Sequence, residues 1–263
     1  MQKVKPKKAL GQHFLTDTSI ARRIADTLSD YVGLPILEIG PGMGMLTQFL
    51  LECGHNLDVV EIDKESVEFL EAHFPQLTEH IHADDFLKMN LRDIFGNNEF
   101  GVIGNYPYNI SSQIFFKILD YKDLVKVCSG MLQREVAERI AAEPGSKARG
   151  ILSILVQAWY DVEYLFTVNE NVFNPPPKVK SGVIRITRNN VDSLGCDEKL
   201  FRNIVKTTFG MRRKTLRNSL KPILPPGTSL NDAETLLSLR PEQLSVEQFI
   251  ELTNKVMLLK KSV

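Results

Sequence analysis

The sequence predicts an α/β fold in which a mostly parallel sheet carries helices on both faces, followed by a small all-α domain. Two patterns predict it. Up to about residue 190, short β-like apolar runs alternate with segments whose apolar residues recur at helical spacing, the signature of strands joined by helical crossovers. From about Lys199 onward every periodic segment reads as a helix. A third observation, an apolar content of 43% over 263 residues, is enough to bury a core of that size.

Past a lysine-rich arm (residues 1–15), Thr16 or Asp17 can cap a helix whose Ile20, Ile24 and Leu28 recur every four residues. Ile36 to Ile39 is the first strand, and Met45 to Cys53 is the helix after it. Leu57 to Ile62 and Ile81 to Ala83 are the next two strands, separated by a helix from Glu65 to Phe74. Phe100 to Ile103 is a fourth strand and leads to a helix from about Ser111 to Leu119. Leu124 to Leu132 is a fifth, nearly continuous and buried. Ile151 to Ala158 fits helix or strand, and its length after Arg149-Gly150 favours a helix. Phe173 to Pro177 is a rigid extended loop, because each proline holds the residue before it in β or polyproline conformations. Val183 to Ile186 is the last strand. Helices over Phe201 to Phe209, Thr215 to Leu220, Ala233 to Leu239 and Val246 to Lys255 then set a boundary near residue 190, giving domains 1–190 and 191–263.

Cys53, Cys128 and Cys196 are odd in number and form no C-x-x-C, which excludes a disulfide framework and a zinc ribbon and fits a reducing, cytoplasmic setting without a bound metal. No stretch reaches the roughly 18 apolar residues of a membrane span, so the expectation is a soluble monomer with no membrane partner. Net charge is zero, but its distribution is uneven. Residues 1–23 hold six Lys/Arg against one Asp (+5), residues 178–221 hold twelve against three acids (+9), and the rest totals −14. Such segregation focuses a positive field of the kind that contacts phosphates, although two solvated surfaces would look the same.

Gly40, Gly42 and Gly44 follow the first strand, where missing side chains let backbone pass close to a ligand. Their spacing is G-x-G-x-G, whereas the dinucleotide fingerprint is G-x-G-x-x-G, so an adenosine cofactor other than NAD fits better. Glu61, 21 residues beyond Gly40, ends the second strand and can accept from ribose hydroxyls. Asp84, at the end of the third, can accept from an adenine amine. Ordinary turn glycines and helix-capping acids remain the plain alternative.

After the fourth strand stand Asn105, Tyr106, Pro107 and Tyr108. An exocyclic adenine amine is a poor nucleophile because its lone pair is delocalised into the ring. The Asn105 carboxamide oxygen and the Tyr106 backbone carbonyl can both accept its N–H groups, Pro107 stiffens the loop, and Tyr108 can stack on the base. The pattern points to methyl transfer from S-adenosyl-L-methionine to an adenine amino group. A base must leave its stack to reach such a loop, which favours single-stranded or loop nucleotides.

Over nearly the whole chain the residues resemble the ribosomal small-subunit RNA adenine dimethyltransferase (KsgA) family. The segments that carry the resemblance are Gly11-Gln12-His13-Phe14-Leu15, Glu38-Ile39-Gly40-Pro41-Gly42, Gly104 to Ser111, Phe173 to Ser181 and Arg212 to Asn218. The resemblance implies a Rossmann-like methyltransferase domain with a helical C-terminal domain that contributes to rRNA binding. It also implies transfer of four methyls to two adjacent adenines near the 3′ end of 16S rRNA in immature small subunits. It carries cofactor contacts onto His13, Leu15, Gly40, Gly42, Glu61, Asp84 and Asn105. Phe173 is assigned to the far face of the flipped adenine, opposite Tyr108, and Lys178, Arg212, Arg213, Lys214 and Arg217 to rRNA, the last four read at helical spacing. Three positions depart from the family: His13 stands where Asn is common, Tyr106 where Leu is usual, and Lys180 where Asp is usual. The alternatives are a large-subunit rRNA dimethyltransferase, a non-catalytic assembly or transcription factor on the same scaffold, and a protein-glutamine methyltransferase.

Overall fold

The computed structural model describes residues 4–225, 228 and 234–261. They divide into two compact units, one from residues up to 138 together with 161–188, the other from 139–160 together with 189 onward. A single cut at residue 190 therefore misplaces 139–160, whose apolar helix Ile151–Gln157 packs among the C-terminal helices.

The nine strands are β1 (Phe14–Leu15), β2 (Ile36–Ile39), β3 (Leu57–Val60), β4 (Ile81–His82), β5 (Phe100–Asn105), β6 (Val125–Gln133), β7 (Tyr160–Val168), β8 (Phe173–Asn174) and β9 (Ser181–Arg188). Seven make one sheet in the order β4-β3-β2-β5-β6-β9-β7. The first five neighbours pair in parallel and β9 runs antiparallel to β6. All four residues of β2 and all four of β3 are buried, as expected for strands covered on both faces. Between the strands, helix Thr18–Ala25 starts at Asp17, whose carboxylate accepts from Ser19 N at 2.9 Å and Ile20 N at 3.2 Å. Helix Ser111–Asp120 buries Ile114, Phe115, Ile118 and Leu119, one stripe at helical spacing.

Three strands were not foreseen. β7 begins Tyr-Asp-Val-Glu-Tyr and stands last in the sheet, where alternating polar residues read as loop. β1 and β8 are two residues each, too short for a period, and pair only with one another through Phe14↔Asn174 and Leu15↔Phe173. β5 also runs two residues further than expected, through Gly104 and Asn105.

In the second unit, Phe201, Ile204 and Val205 of helix Glu198–Gly210 and Phe249, Leu252 and Val256 of helix Val246–Lys261 are buried, and Phe209 stacks on Phe249 at 6.2 Å. Arg149 is 1% exposed and donates from Nε to the Leu244 carbonyl and from Nη1 to the Ala142 carbonyl and Gln157 Oε1, so its buried charge is hydrogen-bonded on two of its three nitrogens. Part of the expected helix at Ala233 lies outside the described residues; helix Glu234–Ser238 covers the remainder.

Candidate active site

Chain direction across the sheet reverses between β2, which continues to β3 on one side, and β5 on the other. Open parallel sheets bind ligands beyond the carboxyl ends of their strands at such a switch point. Gly40 and Asn105, at the ends of these two strands, line one cleft of about 180 Å³ together with Glu61, Asp84, residues 10–14 of the arm and Tyr106 to Ile110.

Gly40 and Gly42 have φ of 65° and 57°, left-handed conformations that favour glycine. A Cβ on Gly42 would lie 2.8 Å from the Phe14 ring, so the arm closes directly against the loop. At Gly40 a Cβ would meet nothing nearer than Pro107, at 3.9 Å, so the open space between the two loops exists because that side chain is missing.

Glu61 is 5% exposed; its Oε2 accepts from Gly42 N at 3.1 Å and its Oε1 from Asp63 N at 2.9 Å. Burial pushes its carboxyl above the ordinary value, and these backbone hydrogen bonds oppose the push. Each oxygen keeps a lone pair, so a vicinal diol can be accepted without giving up the loop contacts. Asp84 is exposed, with Oδ1 accepting from Asp85 N at 2.6 Å. An adenosine cofactor fits these residues: an open glycine cradle, a buried carboxylate with free acceptors, and a second carboxylate one strand further on.

Asn105 donates from Nδ2 to the His13 carbonyl at 3.0 Å, which leaves Oδ1 as the acceptor of that amide. Tyr106 turns its side chain inward: it is 1% exposed, donates its hydroxyl to the Ser129 carbonyl at 2.7 Å, and packs edge-on to Phe115. Its N–H bonds the Met131 carbonyl, so the backbone carbonyl is the group it has left to offer. Tyr108 is hydrogen-bonded to Ser181 Oγ at 2.6 Å, and the His13 ring stacks on it at 5.4 Å. His13 Nδ1 lies 2.8 Å from the Pro175 carbonyl, which can only accept, so Nδ1 carries the proton.

Other assigned residues lie elsewhere. Leu15 is 5% exposed in the core and lines a smaller cavity with Glu38, Gly40 and Asn105. Phe173 is 4% exposed and packs in the core cluster as the partner of Leu15 in the β1–β8 pair, and it is not among the residues that line the cleft. Lys178 is exposed. Arg212, Arg213 and Lys214 occupy a turn between helices Glu198–Gly210 and Leu216–Ser219, so they share no helix face with Arg217. Arg212 bonds the Lys147 carbonyl and approaches Glu242 at 3.8 Å, and Arg217 pairs with Glu234, whereas Arg213 and Lys214 are exposed.

Two acids went unassigned. Glu38 is buried below the glycine loop, accepting from Thr47 Oγ1 at 2.7 Å; one charged residue inside an apolar strand was its signal. Asp63, two residues past Glu61, is bound by the arm. Among the described residues no group of His, Cys, Asp and Glu can hold a metal ion.

Sheet order, glycine cradle and amide loop define a Rossmann-like S-adenosylmethionine-dependent methyltransferase. The sequence profile of ribosomal RNA adenine dimethylases matches residues 3–258. The chain belongs to that family. It is 66% identical over 254 residues to Ribosomal RNA small subunit methyltransferase A of Parabacteroides distasonis, covering 96% of this chain and 94% of that protein. It is 63% identical over 256 residues to the protein of the same name from Bacteroides thetaiotaomicron, covering 97% and 96%. Its fold is similar to that of a dimethyladenosine transferase from Plasmodium falciparum (TM-score 0.74, 23% identity, 95% of this chain and 98% of that one). The 23S rRNA methyltransferase ErmE is also similar (TM-score 0.67, 23% identity, 93% and 99%).

Proposed function

We propose that this enzyme methylates N6 of two adjacent adenosines near the 3′ end of 16S rRNA, to N6,N6-dimethyladenosine, during assembly of the small ribosomal subunit. The relatives above 60% identity carry the small subunit in their names, whereas the large-subunit enzyme ErmE shares 23%. The observation that carries the chemistry is the Asn105 amide, whose Nδ2 is committed to the His13 carbonyl so that Oδ1 accepts.

Bound S-adenosyl-L-methionine supplies a methyl on a positively charged sulfonium, reactive without further activation. Glu61 and Asp84 hold its ribose and adenine, and the Gly40–Gly42 loop provides the close backbone approach. In the first transfer Asn105 Oδ1 and the Tyr106 carbonyl accept the two N–H groups of the target amine, and in the second one of them accepts the single N–H that remains, drawing the lone pair out of conjugation and toward the methyl. Pro107 and the buried Tyr106 ring hold that pair of acceptors still. As the new C–N bond forms the methyl C–S bond would break, leaving S-adenosylhomocysteine, and the proton released from the amine passes to solvent. Tyr108 offers a ring for the base, and Phe173 acts through the core that seats the arm.

Lys178, Arg213 and Lys214 are exposed cations with no acidic partner among the described residues, available for rRNA phosphate; Arg212 and Arg217 would have to exchange Glu242 and Glu234 for it. We place the enzyme in the cytoplasm as a monomer. No described helix is long and apolar enough to cross a membrane. The test is incubation with labelled cofactor and either immature small or large subunits, followed by mapping of modified bases. Label in two adjacent adenosines of small-subunit rRNA is expected, and label confined to large subunits overturns the reading.

A further inference from the structure

One stretch of the arm touches both halves of the site. At its start the Lys7 ammonium ion-pairs with Asp63, and with Glu65 at 3.1 Å. Gln12 reaches Asp63 Oδ2 from Nε2 at 3.4 Å, while its Oε1 accepts from Lys7 N at 2.8 Å. At the other end the His13 carbonyl receives Asn105 Nδ2. Asp63 in turn donates its backbone N–H to Glu61 Oε1.

The Asp63 side chain is 1% exposed, against 38% for Lys7. Burial alone would push its carboxyl up, but hydrogen bonds from Lys7, Gln12 and Ser66 hold it below the ordinary value. A buried carboxylate is tolerated when paired and hydrogen-bonded, and two of these three partners come from the arm. Seating the arm is thereby tied to satisfying Asp63. A seated arm is also what presents the His13 carbonyl to Asn105; without it, the amide of Asn105 is free to turn its N–H2 toward the amine, which donates where an acceptor is needed.

We propose that Asp63 is a positioning residue, clasping the arm through Lys7 and Gln12 so that Asn105 is held with its carboxamide oxygen toward the substrate amine and the arm closes the cofactor cleft. This rests on the role given to Asn105 above. The clasp joins the ribose acceptor to the amine acceptor through seven residues of chain, Lys7 to His13. Cofactor binding and alignment of the amine site are then one event.

The test compares Lys7→Met with Lys64→Met, which removes the same charge from an exposed neighbour of Asp63 that touches neither the arm nor the cleft. S-adenosylhomocysteine affinity is measured by calorimetry without RNA, and kcat at saturating cofactor and small subunits. Lys7→Met should weaken binding roughly tenfold and lower saturated kcat by roughly tenfold to a hundredfold, the scale of a small misplacement of a reacting group; Lys64→Met should match the parent. Equal affinities for the two variants overturn the clasp. Weaker binding with undiminished saturated kcat overturns its action on Asn105. Because the calorimetric arm contains no RNA, the clasp is judged there even if the parent fails to methylate small subunits, a failure that would count against the substrate assignment alone.

Discussion

Glu38 lies under the glycine loop with its carboxyl out of water, and burial, opposed by the Thr47 hydroxyl and reinforced by the nearby Glu61 charge, pushes it from 4.5 to about 8. The folded state thus holds a proton that the unfolded chain releases. Stability from the neutral form is full below pH 4.5 and is lost as pH rises toward about 8. Denaturant unfolding of Glu38→Gln should therefore be flatter with pH over that window than the parent's; parallel profiles would show that Glu38 ionises normally. Asn105→Ala removes the acceptor set by His13, and a loss on the order of a hundredfold in kcat is expected from single-turnover kinetics, with affinity for S-adenosylhomocysteine changed far less. Tyr106→Phe deletes only the hydroxyl bonded to Ser129. It should cost about 1 kcal/mol of unfolding free energy and leave kcat within a few-fold, since the proposed mechanism uses the backbone carbonyl and not the hydroxyl. At this scale the sequence exposed residue types: an amide, a carbonyl-bearing aromatic and a ribose acceptor. It did not show that Asn105 Nδ2 was already committed, because its partner stands 92 residues away.

The loop after β5 depends on the strand beside it. Gly104 and Gly130 face each other across the β5–β6 pair and leave the slot filled by the Tyr106 ring. A Cβ on Gly130 would lie 2.4 Å from the Gly104 carbonyl and 2.6 Å from that ring, and neither backbone nor a fully buried ring can yield cheaply. Gly130→Ala should destabilise by roughly 1–3 kcal/mol or more, in the manner of overpacked cores, and should lower kcat together with the melting temperature. An unshifted melting temperature would mean that the strand absorbs the methyl. The central strands were legible because short, mostly apolar and β-branched runs bounded by glycine or acid have few other uses. The β1–β8 pair was not, because two residues carry no period and the pairing joins segments 158 residues apart at Leu15 and Phe173. In that pairing Phe173 packs in the core cluster beside Leu15.

For the whole molecule, a formally neutral chain carries segregated charge, and under the proposed function its basic segments face the rRNA. Arg213 and Lys214 are exposed while Arg212 and Arg217 have acidic partners, so the contributions to RNA binding should be unequal. Replacing Arg213 and Lys214 with Ala should flatten the logarithmic salt dependence of binding by about 0.7–0.9 for each phosphate that is no longer neutralised, as read by filter binding over a salt series. The Arg212→Ala slope should move less, and equal slopes for all variants would place the phosphate-binding cations elsewhere.

By itself the sequence determined the class of fold, the cofactor cradle at the end of β2 and the amide loop at the end of β5, because these depend on local periods, on glycines that must adopt positive φ, and on residue chemistry. Family membership followed from ordered motifs spread along the chain. Only the tertiary structure decided that 139–160 pack with the C-terminal helices, that the cationic cluster forms a turn with two of its members already paired, and that Phe173 packs in the core. It also decided that the arm, legible as a run of lysines, fastens at Asp63 and takes a hydrogen bond from Asn105 Nδ2 on its His13 carbonyl. Those outcomes turn on which distant groups meet and satisfy one another's charge and hydrogen bonds, and no period in the sequence encodes such meetings.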